Sequence, residues 1–295
     1  MPFAVTTDGT KLHYEVTGTG TPLLFIHEFA GEAASWEQQV RRFSRRYQCI
    51  TYDARGFAPS DVPSETSSYS QALAVSDAVA VLDSAGAEQA HVVGLSMGGF
   101  CALHLALGHP DRVLSAVVGG VGYGAHPDKQ SAFAAECENI ASAFEELGAE
   151  GFAPRYASGP ARVQLQNKDP RGWQEFHDAL ARHDRVGAAG TMRGVQMRRP
   201  SLYDMTEQLR ACEVPILVLA GDEDEGCLEA ALLLKRTLPR SGLVILPKTG
   251  HTVNLEEPDL FGDTVQRFVT DVESDSWPLR DPRSLSASTT GMADD

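Results

Sequence analysis

Three features of the sequence predict an α/β fold, a mostly parallel sheet flanked by helices and carrying a helical insertion. Strand-like and helix-like segments alternate up to residue 121 and again from residue 210. Several of the strand segments are continuous apolar runs, the signature of strands buried on both faces. The block between the two alternating parts reads as helix without a strong strand run.

In chain order, residues 11–16 alternate polar and apolar side chains, as in a half-exposed strand. Pro22-Leu23-Leu24-Phe25-Ile26 is an uninterrupted apolar run and reads as a buried strand. Residues 48–52 form another short β-rich run, with a helix expected over 33–43 between the two. A longer helix over 70–85 is expected from apolar residues at helical spacing. Ala90-His91-Val92-Val93 reads as a short buried strand, 100–107 as an apolar helix, and 112–118 as a further buried strand. From 122 to 209, helical pieces at 131–147, 171–182 and 187–197 are separated by glycine and proline. Alternation resumes with a strand at 214–219, a helix at 228–238, a strand at 243–246 and a last helix at 258–272. The organisation so predicted is a core over 1–121, a helical cap over 122–209, the rest of the core over 210–273 and an extension over 274–295. That extension is rich in Ser, Asp, Pro and Thr and reads as loose, with Trp277 or Leu279 as the residues that would dock it.

The bulk properties narrow the function classes. A chain of 295 residues with 42% hydrophobic residues suits one large soluble domain. A net charge of −15 argues against nucleic acid or an anionic membrane as a partner. No apolar run approaches the roughly 20 residues that span a bilayer. The start, Met1-Pro2-Phe3-Ala4-Val5, lacks the features of a signal peptide. The cysteines, Cys49, Cys101, Cys137, Cys212 and Cys227, are odd in number, scattered and without C-x-x-C spacing. Neither a disulfide framework nor a zinc site is expected, and reduced thiols point to the cytoplasm. Cys49 and Cys101 lie in apolar stretches and are expected to pack the core.

Gly94-Leu95-Ser96-Met97-Gly98 carries the strongest chemical signal. It lies between the strand ending at Val93 and the helix beginning at Phe100, where a sharp turn would expose a strained serine hydroxyl. Glycines two residues either side permit that turn without a Cβ clash. A serine hydroxyl is a weak nucleophile near neutral pH and needs a base, which in turn needs an orienting acid. In an open α/β sheet such groups gather beyond the carboxyl ends of strands. Two later strand ends qualify: one runs into Gly221-Asp222-Glu223-Asp224-Glu225, the other into Pro247-Lys248-Thr249-Gly250-His251. The order is serine, acid, histidine, with the acid open among four consecutive candidates.

Taken with four further stretches, the elbow resembles the α/β-hydrolase superfamily, specifically its cap-bearing esterase and lactonase-like serine hydrolases. His27-Glu28-Phe29-Ala30-Gly31 is similar to the H-G-x-x-G oxyanion loop. Asp53-Ala54-Arg55-Gly56-Phe57-Ala58-Pro59-Ser60 is similar to the D-x-R-G-x-G-x-S loop, with Ala58 where the family has glycine. Gly221-Asp222-Glu223-Asp224 resembles the G-x-x-D acid turn, and Gly250-His251 followed by Glu256-Glu257-Pro258 resembles the histidine loop. The resemblance implies Ser96 as nucleophile, His251 as general base and Asp224, by register, as its orienting acid. It also implies an oxyanion hole from the backbone N–H groups of Phe29 and Met97, no cofactor and no metal. A small-molecule ester or lactone is the implied substrate, under a cap that shapes an apolar pocket.

Carbon–carbon hydrolysis of a vinylogous diketone, amide hydrolysis, cofactor-free peroxidase-like activity and ligand reception without turnover remain alternatives. A dehalogenase or epoxide hydrolase would need a carboxylate where Ser96 stands. Glu28 replaces the family's glycine and is a candidate for substrate contact, for an ion pair with Arg55, or for a side chain paired away from the site. Trp36 is a candidate for substrate contact or for packing the first helix. His91 and His104 are expected to be structural. His126, His177 and His183 lie in or near the insertion without metal-binding spacing. The Arg198-Arg199 pair reads as a solvated face, with recognition of an anionic substrate group as the alternative.

Overall fold

The computed structural model describes residues 2–285. Its strands are β1 (Phe3–Val5), β2 (Lys11–Thr17), β3 (Thr21–Ile26), β4 (Tyr47–Tyr52), β5 (Ala90–Leu95), β6 (Val113–Gly119), β7 (Ile216–Gly221) and β8 (Ser241–Leu246). They form one sheet in the order β1-β2-β4-β3-β5-β6-β7-β8. β2 runs antiparallel to both β1 and β4, and every pairing from β4 to β8 is parallel. Parallel neighbours need crossovers, and helices supply them.

A short 3-10 turn (Ala33–Trp36) and α1 (Glu37–Phe43) join β3 to β4, α2 (Gln71–Ser84) joins β4 to β5, and α3 (Met97–Gly108) joins β5 to β6. Between β6 and β7 the chain runs through α4 (Pro127–Ala157), α5 (Val163–Lys168), α6 (Pro170–Leu180), α7 (Arg185–Thr191), a π-helical turn (Met192–Gln196) and α8 (Thr206–Ala211). No strand lies in this stretch among the described residues. After β7 come α9 (Glu225–Thr237), and after β8 α10 (Val253–Glu256) and α11 (Pro258–Glu273). The helix expected to end at 147 does break there, because Gly148 takes φ +70°, but helix resumes to Ala157.

The apolar runs explain the layering. Alternate residues of each central strand enter opposite cores, so Leu24, Ile26, Val92 and Val118 pack with Phe100, Leu103 and Leu234 on one face. Leu23, Phe25, Val93 and Val117 pack with Trp36, Phe43, Phe261 and Phe268 on the other. Each such large side chain contributes about 1.5–3 kcal/mol by leaving water. A third apolar cluster joins the helices after β6 to the loops at the sheet's carboxyl edge, through Phe29, Phe57, Met97, Phe144, Phe152 and Met192. The tail is docked by Trp277, whose ring lies 4.7 Å from Phe268 and whose indole N–H donates to the Arg240 carbonyl at 3.2 Å. Leu279 stays exposed, and the part of the expected extension beyond residue 285 lies outside the described residues. No helix among the described residues is long and apolar enough to cross a membrane.

Candidate active site

β5 ends at Leu95 and α3 begins at Met97, so Ser96 alone makes the turn. Its φ is +54° and its ψ −113°, a left-handed conformation that costs a non-glycine residue about 1–3 kcal/mol. The surroundings hold it there: the Ser96 N–H donates to the Gly119 carbonyl at 2.8 Å, and the Phe100 N–H donates to the Ser96 carbonyl at 2.9 Å. The flanking glycines are required by close approach. A Cβ on Gly94 would stand 2.0 Å from the Gly98 carbonyl oxygen, and one on Gly98 would stand 2.1 Å from that of Ile26.

The turn after β7 and the loop after β8 bring an acid to a histidine. His251 Nδ1–H donates to Asp224 Oδ2 at 2.7 Å, with both residues buried. Burial works to raise the Asp224 pKa, but the charge and hydrogen bond of His251 and the field of Arg162 outweigh it and hold it below the usual carboxylate range. The neighbouring acids are engaged elsewhere: Asp222 accepts the Thr249 N–H at 3.1 Å, Glu223 accepts from Gln164, and Glu225 opens α9. Glu256, whose part the sequence did not disclose, accepts the Gly250 and Thr252 N–H groups at 2.6 and 3.0 Å and so fixes the loop that carries His251. Cys227, one of the scattered cysteines, brings its thiol within 4.8 Å of the Asp224 and His251 ligand atoms. Burial pushes that thiol well above its ordinary pKa, so it stays protonated.

Beside the elbow, the loop after β3 is held by His27. Its Nδ1–H donates to the Glu28 carbonyl at 2.6 Å, and its Nε2 accepts the Ala54 N–H at 3.0 Å. Turning the Glu28 carbonyl back in this way leaves the Phe29 amide free of any backbone acceptor among the described residues, as is the amide of Met97 at the start of α3. Asp53 secures the same loop by accepting the Ala33 N–H at 2.8 Å, while Arg55 bridges Asp77 and Asp8. Ala58 fits its loop without a positive φ. Ser96 and His251 both line a cavity of about 450 Å³, walled by Phe133, Ile140, Phe152 and Met192 together with Arg162 and Arg199.

Comparison with known proteins agrees with this fold. Residues 21–146 match the family described as alpha/beta hydrolase fold. A thermophilic esterase from Thermogutta terrifontis superposes with a TM-score of 0.81 at 25% identity, over 92% of this chain and 98% of its own. The chain has the α/β-hydrolase fold. Full-length relatives of this hydrolase include a putative carbamate hydrolase from Azorhizobium caulinodans, 28% identical over 92% of this chain and all of the relative. A putative 2-succinyl-6-hydroxy-2,4-cyclohexadiene-1-carboxylate synthase from Bacillus subtilis is 27% identical over 84% and 89%.

The structure decides between the readings that the sequence left open for several residues of the hydrolase. Glu28 is paired away from the cavity, and its partner is not Arg55 but the buried Arg162 in the turn before α5. Trp36 does not line the cavity: it is buried between Phe25 and Phe261 on the sheet's opposite face. The Phe29 side chain likewise turns from the cavity to pack on Phe57 and Phe144. His91 bonds Ser115 beneath the sheet, and His126, His177 and His183 stand outside the cavity wall. Of the arginine pair, Arg198 is exposed as expected, whereas Arg199 is buried against the cavity. Spacing in the sequence gave no sign of this, because Arg199 lies in irregular chain after the π-helical turn, where no periodicity marks a buried face.

Proposed function

We propose that this hydrolase cleaves a carboxylic ester or lactone through Ser96, His251 and Asp224. The observation that carries the reading is the His251–Asp224 bond facing the same cavity as a serine held at φ +54°. With Nδ1–H donated to Asp224, the lone pair of His251 Nε2 is available to take the Ser96 hydroxyl proton. Ser96 Oγ then bonds to the substrate carbonyl carbon, and the carbonyl oxygen takes the negative charge. The Phe29 and Met97 amides, the latter at the positive end of α3, would donate to that oxyanion. Collapse breaks the bond to the leaving alkoxide, which receives the proton from His251. Water, deprotonated by the same imidazole, attacks the acyl carbon; collapse breaks the bond to Ser96 Oγ, releases the carboxylic acid product, and His251 returns the proton to Ser96. The helices between β6 and β7 act as the cap over this cavity and limit substrates to small and medium size.

The test is turnover of short-chain aryl esters, γ- and δ-lactones and aryl carbamates, the last because a full-length relative carries that putative activity. Esters or lactones should be hydrolysed by the wild type and not by Ser96→Ala. Preferential carbamate cleavage would shift the reaction class while keeping the residues. Turnover of none of the three would favour ligand reception without chemistry.

A further inference from the structure

Resting on the ester or lactone reading above, we infer that Arg199 is an anion subsite of the Ser96 cavity and that the preferred substrates carry a carboxylate. Arg199 is 8% exposed and lines the cavity shared by Ser96 and His251. Its guanidinium lies 3.7 Å from the ring centre of Phe100, one helical turn beyond Ser96, and 5.1 Å from that of Phe133. These rings hold a flat cation in a fixed plane. A guanidinium carries five N–H donors. Within the protein one of its terminal nitrogens donates to Gln196 Oε1 and the other to the Tyr123 carbonyl, both neutral acceptors, while Nε–H has none.

No carboxylate pairs with Arg199 among the described residues, in contrast to Arg162, which faces the same cavity and is neutralised by Glu28. Glu136, the carboxylate on the cavity wall, is exposed and makes no ion pair with it. Burial pulls the Arg199 pKa down to about 10, which still leaves it charged at neutral pH. A buried cation without a counterion is unfavourable unless an anion arrives to join it. In a chain of net charge −15 this is a local reversal of sign, placed in the cavity of the candidate nucleophile. A carboxylate matches the fork of donors in both charge and planarity.

Matched substrate pairs differing only in charge test the inference. One pair is 4-acetoxybenzoate and 4-acetoxybenzamide; the other is a γ-lactone bearing a ring carboxylate and the corresponding carboxamide. The wild type should favour the carboxylate member by roughly 10- to 100-fold in kcat/KM, the range of a charge-assisted hydrogen bond. In Arg199→Met that ratio should fall to about one, whatever the absolute rates. A wild-type ratio within about twofold in both pairs, which needs no variant to fold, overturns the inference, as does a ratio that survives in Arg199→Met. Calorimetric titration of glutarate separates this from the hydrolytic reading. Binding to Ser96→Ala that is lost in Ser96→Ala/Arg199→Met supports the subsite even if no ester or lactone is cleaved. Cleavage without carboxylate preference and without glutarate binding removes the subsite and leaves the hydrolase reading intact.

Discussion

Replacing Arg162 by methionine probes the contact that ties the helical insertion to the loop carrying Phe29. The side chains of Arg162 and Glu28 are 3% and 5% exposed, so solvent screens their ion pair little. Methionine keeps much of the apolar stem that packs near Phe176, whose ring centre lies 5.0 Å from the guanidinium. What it removes is the counterion, leaving a buried carboxylate alone, which costs about 3–5 kcal/mol. For 295 residues the unfolding entropy near the melting temperature is about 0.6 kcal/mol/K, so the expected fall in Tm is about 5–8 °C. The double variant Glu28→Leu/Arg162→Met removes both charges and should recover most of that loss, since a matched apolar pair is often neutral against the ion pair it replaces. Differential scanning calorimetry on the four proteins of this cycle supplies the coupling energy. A single variant that melts within about 1 °C of the wild type, or a double variant no more stable than the single, would mean that the Arg162–Glu28 pair does not stabilise this contact.

Further outcomes follow from the same geometry. Asp224→Asn should lower kcat by about four orders of magnitude, as loss of the tautomer-setting carboxylate does elsewhere, whereas Asp222→Asn, which touches only the Thr249 amide, should change it less than tenfold. Steady-state kinetics on one ester decides between them, and the reverse ranking moves the acid. His183 has both ring nitrogens buried without partners, and burial pushes its pKa down to about 3. The unfolded chain therefore binds the proton first, and stability is lost as pH falls from about 6.5 toward 3. At pH 5 that loss is about 2 kcal/mol. His183→Phe should flatten this limb in urea titrations at pH 7 and pH 5, and an unchanged pH dependence would contradict it.

Much of the sheet was legible because burial on both faces demands the continuous apolar runs seen at 23–26 and 216–220. The short edge strand Phe3–Val5 was not, since three residues paired on one side leave too little pattern to read. The elbow was visible for a steric reason, as Gly94 and Gly98 have backbone atoms where a Cβ would stand. Asp224 could be separated from its acidic neighbours only by resemblance, because alternation along a turn carries no direction. The partners of Glu28 and the burial of Arg199 depend on contacts spanning 134 and 76 residues, to Arg162 and Tyr123, which no local pattern encodes.

Whether Ser96 is a nucleophile activated by His251 can be read by intact-protein mass spectrometry after treatment with a fluorophosphonate. One phosphonyl adduct per chain is expected, mapped to Ser96, absent from Ser96→Ala and strongly slowed in His251→Ala. A wild-type protein that takes up no adduct, or takes it up equally in Ser96→Ala, would contradict it.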